Sequence, residues 1–176
     1  MYRRILLAYD GTLEGAVALR EGALIAQKCR AKVFLLSVIP ETGGVHMAEA
    51  LHAGAIAQQT DDYKAVLERG IARLRQFGFE PTARLVIGEP VRAIGKFAKE
   101  VGADLVVVGH RRQSVIERWW SGPTGSFLTD HIRCTLLIAR SVISDEAFEA
   151  EMHAARASTP AQEIAQPPIP TQLGVG

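Results

Sequence analysis

Five short, largely apolar and β-branched runs punctuate the chain, at residues 5–9, 33–39, 83–87, 105–108 and 135–139. Each has the length of a strand, and unbroken hydrophobicity without alternation predicts strands covered on both faces. The segments between them carry helical spacing instead. Ala16, Leu19, Ala23 and Ala26 form one stripe, Tyr63, Val66, Leu67, Ile71 and Leu74 a second, and Val91, Ile94, Phe97, Ala98 and Val101 a third. Strand and helix alternate, which predicts an α/β fold: a parallel sheet of right-handed βαβ units with helices on both faces.

The punctuation agrees. Pro90 suits the first turn of the third helix, where its missing amide hydrogen is not needed, while Gly102 and Gly78 stand where helix C-terminal caps belong. Residues 42–44 read as a flexible link, and residues 47–59 are alanine-rich and weakly patterned, fitting either a mobile connection or an added helical turn. Beyond residue 140 the character changes. Residues 144–156 open on Ser-Asp-Glu and predict a short acidic helix within an extension of residues 141–157. Residues 158–176 hold Pro160, Pro167, Pro168 and Pro170 with almost no apolar periodicity, the composition of a disordered tail. With no internal repeat, the expected organisation is one domain over residues 1–140, the helical extension and the tail.

A chain of 176 residues, 48% hydrophobic, is long enough for one well-buried core. Twenty basic against nineteen acidic residues leave a net charge of +1, which gives no global attraction to nucleic acid or anionic membrane. The only two cysteines, Cys29 and Cys134, match no metal or CxxC spacing and read as reduced core thiols of a cytoplasmic protein. The N-terminal MYRRILLAYDGT is cut by Asp10 and reads as a first strand rather than a signal peptide, and no apolar run is long enough to span a membrane.

Chemistry concentrates after two of the strands. Asp10, in Tyr9-Asp10-Gly11-Thr12, stands at the carboxyl end of the first strand, where open α/β sheets bind ligands. It can accept hydrogen bonds from a ribose or base, or it can cap the following helix, as can Thr12; the local sequence weighs these readings evenly. The fourth strand stops at Gly109 and hands over to GHRRQSVIERWWSGPTGS, in which Arg111, Arg112 and Arg118 offer charge and Gly122-Pro123-Thr124-Gly125-Ser126 opens a helix with free amides. Solvent-facing arginines and a merely capping Ser121 or Thr124 explain the same residues equally well. Trp119-Trp120 favours packing or a dimer contact over stacking on a base. His110 and His131 have no partner at metal-ligand spacing, so no metal is expected. Gly88 and Gly95-Lys96 imitate a P-loop, but six residues separate the glycines where four are required, and Phe97 replaces the hydroxyl residue. GxGxxG and GxSxG are absent, and no nucleophile has an evident base, so the chain is not expected to be an enzyme.

Five blocks in order, RRILLAYDGT, KVFLLSVIP, LVIGEP, ADLVVVGHR and HIRCTLLIAR, resemble the universal stress protein (UspA-like) family over residues 1–140. The resemblance implies a doubly wound, Rossmann-like sheet of five parallel strands in the order 3-2-1-4-5, and a homodimer formed through the edge strand Thr135–Ala139. Some members bind ATP through a motif of glycine, two residues, glycine, nine residues, glycine, then serine or threonine. Here Gly109 and Gly122 keep the first and third glycines, while Arg112 replaces the second and Pro123 the hydroxyl residue. Asp10 matches the family's strand-end aspartate, and Val38 the position whose backbone faces the adenine.

A side chain at Arg112 hinders close approach of a phosphate to bare backbone unless the guanidinium replaces those contacts. Pro123 removes one amide donor but leaves those of Thr124 and Gly125, with Thr124 or Ser126 able to supply the hydroxyl. The implied function is a stress-response regulatory module binding ATP or another adenine nucleotide through Asp10, Val38, Gly109, Arg111, Arg112, Gly122, Thr124, Gly125 and Ser126. The rival reading is a nucleotide-independent dimeric adaptor; a slow nucleotide hydrolase ranks last for want of a general base.

Overall fold

The computed structural model describes residues 1–40, 53–109, 131–140 and 145–157. Its elements are β1 (Arg4–Ala8), α1 (Leu13–Cys29), β2 (Lys32–Pro40), α2 (Ala53–Gln76), β3 (Thr82–Gly88), α3 (Pro90–Val101), β4 (Leu105–Gly109), β5 (Thr135–Ala139) and α4 (Asp145–Ala157). All strand pairs are parallel, in the order β3-β2-β1-β4-β5. The predicted α/β architecture is therefore present.

Side-chain alternation divides the core into two layers. Ile5, Leu7, Val33, Leu35 and Val107 face α1 and α2, while Leu6, Leu36, Val106 and Val108 face Val91, Ile94 and Phe97 of α3. The three central strands thus bury both faces, which is why their sequences run apolar without a break. The two edge strands do not follow that expectation. β3 alternates between exposed and half-buried residues, and β5 buries only Ala139 fully, because an edge strand has a neighbour on one side and less helix above it.

The helices follow their stripes, with some redistribution. In α1 the fully buried positions are Gly15, Ala18, Leu19, Gly22, Ala23 and Ala26, all small except Leu19, so this helix sits close on the sheet. Among the α2 residues whose burial is described, 58–76, only Gly70 and Leu74 are fully buried, and Val66, Leu67 and Ile71 pack partly against the core. The helix begins at Ala53, so the weakly patterned residues 53–59 belong to it, while 47–52 lie outside the described residues. α3 begins with Pro90 behind Glu89, whose carboxylate accepts hydrogen bonds from Val91 N at 3.0 Å and Arg92 N at 2.8 Å. It ends on Gly102 in the left-handed conformation, with φ +62°.

The sheet's starting edge is tied by Asp104, whose carboxylate accepts from Arg3 N at 2.7 Å and Arg4 N at 3.0 Å. Cys29 packs on the α1 layer and Cys134 on the α3 layer; both are free and only half-buried, not fully in the core. Burial, and then the nearby Asp104 carboxylate, push the Cys134 thiol above its ordinary range. α4 packs on the outer side of α1, burying Phe148 and Met152, with Lys28 paired to Glu151 at 2.8 Å on the surface. The tail, residues 158–176, lies outside the described residues.

Candidate functional site

In this strand order the connections leaving β1 and β4 run in opposite directions across the sheet, which opens a crevice at their carboxyl ends. Ala8 pairs with Leu36, so Asp10 and Val38 each stand two residues past the same rung; Leu7 pairs with Val107, so Tyr9 and Gly109 do likewise. Asp10, Val38 and Gly109 therefore share one edge, on three adjacent strands. These are the sequence-predicted site residues that the described structure brings together. Arg111, Arg112, Gly122, Thr124, Gly125 and Ser126 lie outside the described residues, as do His110, Arg118, Trp119, Trp120 and Ser121.

The competition between capping and ligand binding at the first turn has a definite geometry. Thr12 is the N-cap of α1: it has extended backbone, φ −78° and ψ 167°, and its hydroxyl oxygen accepts from Gly15 N at 3.1 Å. Asp10 acts one step back. Its Oδ1 accepts from Thr12 N at 3.0 Å and from the Thr12 hydroxyl at 2.5 Å, which orients the cap. The capping job thus falls to Thr12, and Asp10 remains an exposed carboxylate beside a helix N-terminus.

Two glycines make this edge compact. A methyl on Gly15 would lie 2.5 Å from Asp10 Oδ1 and 3.3 Å from Thr12 Oγ1. A methyl on Gly109 would overlap the carbonyl of Glu14 and come 2.9 Å from Gly15 N. The end of β4 is therefore pressed against the first turn of α1, and any side chain at position 109 would force them apart. Ser37, buried in β2, donates to the Tyr9 carbonyl at 2.7 Å and fixes the chain just before Asp10. Val38 turns its side chain into the α3 layer, paired with Val86 of β3. Sequence reading missed Leu13 and Ile87, large apolar residues left 85% and 62% exposed at the same carboxyl edge. The available signal was an apolar residue directly after the N-cap, where a first helical turn is ordinarily polar.

Among the described residues, no cluster of three His, Cys, Asp or Glu side chains could hold a metal ion, and no helix is long and apolar enough to cross a membrane.

Comparison with known proteins agrees with the fold. The universal stress protein family model matches residues 1–140. The chain belongs to the universal stress protein family. Universal stress protein YxiE of Bacillus subtilis is 26% identical over 148 residues, covering 80% of this chain and all of that one. A universal stress protein solved in complex with cAMP superposes with a TM-score of 0.59 at 23% identity, covering 80% of this chain and 99% of its own. The universal stress protein of Archaeoglobus fulgidus in complex with dAMP gives 0.55 at 22% identity, with 79% and 98% covered.

Proposed function

We propose that this protein binds an adenine nucleotide at the carboxyl ends of β1, β2 and β4 and acts through binding, as a regulatory module of the stress response. The observation that carries the reading is the register: it sets Asp10, Val38 and Gly109 side by side at the switch point of a doubly wound sheet. Asp10 would accept the ribose hydroxyls, and the backbone near Val38 would meet the base. The segment of Arg111, Arg112, Gly122, Thr124, Gly125 and Ser126 would hold the phosphates, with the Arg112 guanidinium replacing the contacts a glycine backbone makes elsewhere. ATP is the nucleotide that the kept glycine spacing favours, and the two relatives solved with cAMP and dAMP support the adenine class.

Calorimetric titration of the purified protein with ATP, ADP and AMP tests the proposal. Saturable heat with at least one of them is expected; no heat up to millimolar ligand overturns it.

A second reading, a nucleotide-independent dimeric adaptor, has one observation in its favour. Gly109 is required by its packing on Glu14 whether or not a phosphate binds, so its retention does not by itself argue for a nucleotide. In either reading the chain would pair through β5, an edge strand whose Leu136, Leu137 and Ile138 are only half-buried. Sedimentation showing a monomer would remove that element from both.

A further inference from the structure

We propose that the amino-terminal edge of the sheet is a docking surface for anionic membrane lipid, on which the protein is held peripherally by charge. Five exposed cations stand there: Arg3 before β1, Lys32 opening β2, Arg133 before β5, Arg30 after α1 and Lys99 in the last turn of α3. Among the described residues, none of these five side chains has a hydrogen-bond or ion-pair partner. The carboxylates nearby are already engaged. Glu80, Glu100 and Glu151 pair with Arg75, Arg84 and Lys28 at 3.2, 2.7 and 2.8 Å. Asp104 holds the amides of Arg3 and Arg4, and its charge is offset by the Arg4 guanidinium, which donates to the neutral Val101 carbonyl at 2.7 Å. Helix dipoles account for Arg30 and Lys99, which stand at helix C-termini where cations are favoured. Arg3, Lys32 and Arg133 start strands, where no helix end calls for them.

The layout selects a flat partner. Lys32, Arg3 and Arg133 mark the starts of β2, β1 and β5 within a row of four adjacent strands, about 14 Å long at about 4.8 Å per strand. Arg30 lies on the α1 side of that row and Lys99 on the α3 side, so the charges spread over a face and do not line a groove. A bilayer surface can meet all five, whereas a nucleic-acid duplex curves away and meets only the row. The overall charge of +1 does not oppose this. Asp10, Glu14 and Glu89 gather at the carboxyl edge, a five-residue strand or about 17 Å away. That is about twice the screening length at physiological salt, so a lipid surface senses the near edge alone. Each cation held there adds to the attraction, and the nucleotide edge faces away from the membrane.

The test is co-sedimentation of the full chain with vesicles of phosphatidylcholine, alone or mixed in equal parts with phosphatidylglycerol. Binding is expected only to the anionic vesicles, and it should fade as salt is raised. Losing one cation should weaken it about fivefold, so Arg3→Gln, Lys32→Gln and Arg133→Gln combined should weaken it about a hundredfold. These side chains are exposed, so the triple variant keeps the fold. Arg92→Gln, at the opposite end of α3, and Asp10→Ala, at the nucleotide edge, should bind vesicles as the parent does. Failure here is thereby distinct from failure of the nucleotide proposal. No binding to the anionic vesicles, equal binding to neutral ones, an affinity unchanged in the triple variant, or tighter binding to duplex DNA at the same salt would overturn the proposal.

Discussion

Gly109, the last residue of β4, lies directly against the backbone of Glu14 in the first turn of α1, with no room between them for a methyl group. The glycine proposed to open the nucleotide-binding loop is therefore also the contact that closes β4 onto α1. In Gly109→Ala, the overlap with the Glu14 carbonyl must be relieved by shifting backbone, at a cost of about 1–3 kcal/mol. Urea unfolding should show that loss. Nucleotide affinity should fall with it, because the shift moves Asp10 relative to the end of β4.

Asp10 and Thr12 divide two tasks that local sequence could not separate. Thr12→Ala removes the cap acceptor for Gly15 N and should destabilise the protein by about 1 kcal/mol, while Thr12→Ser should restore most of it. Asp10→Ala leaves the Thr12 hydroxyl in place, so it should cost less stability than Thr12→Ala yet abolish nucleotide binding. Paired unfolding curves and titrations check this crossed pattern.

Arg30 caps α1 in the left-handed conformation, with φ +52°, in the role Gly102 plays for α3. A residue with a Cβ pays about 1–2 kcal/mol there, and glycine does not, although glycine loses more freedom on folding. Arg30→Gly should therefore raise stability by about 0.5–1 kcal/mol, read as a higher urea midpoint with an unchanged slope.

Glu21 gives a pH-dependent prediction. Burial raises its carboxyl above the ordinary 4.5. As pH rises, the unfolded chain gives up that proton first, so the folded state holds more protons through the window between the two pKa values and loses stability across it. Glu21→Gln, which cannot ionise, should be modestly more stable than the parent at neutral pH. The difference should vanish below about pH 4, where both states of the parent are protonated. Unfolding midpoints measured across that range check it.

Most of the fold was legible because its strands are apolar runs and three of its helices are stripes of the right period. Pro90, Gly78 and Gly102 marked the helix ends because their backbone chemistry allows few alternatives. Arg30 gave no such signal, since nothing in its side chain announces a left-handed cap. The half-open faces of β3 and β5 were missed because the residues of an edge strand can be as apolar as those of a central one. At the candidate site, the shared edge of Asp10, Val38 and Gly109 was legible from their strand ends. What local sequence could not reveal was spatial: the contact of Gly109 with Glu14 joins residues far apart in the chain, and the division of labour between Asp10 and Thr12 depends on which side-chain oxygen accepts from Gly15 N.

The central claim is that an adenine nucleotide binds where β1, β2 and β4 end. Titration of ¹⁵N-labelled protein with ATP tests it residue by residue. Saturable shifts are predicted for the amides of residues 9–15, of Val38 and Ile39, and of Gly109, and they should be lost in Asp10→Ala. An unchanged spectrum at millimolar ATP, or shifts centred away from those strand ends, would contradict the account.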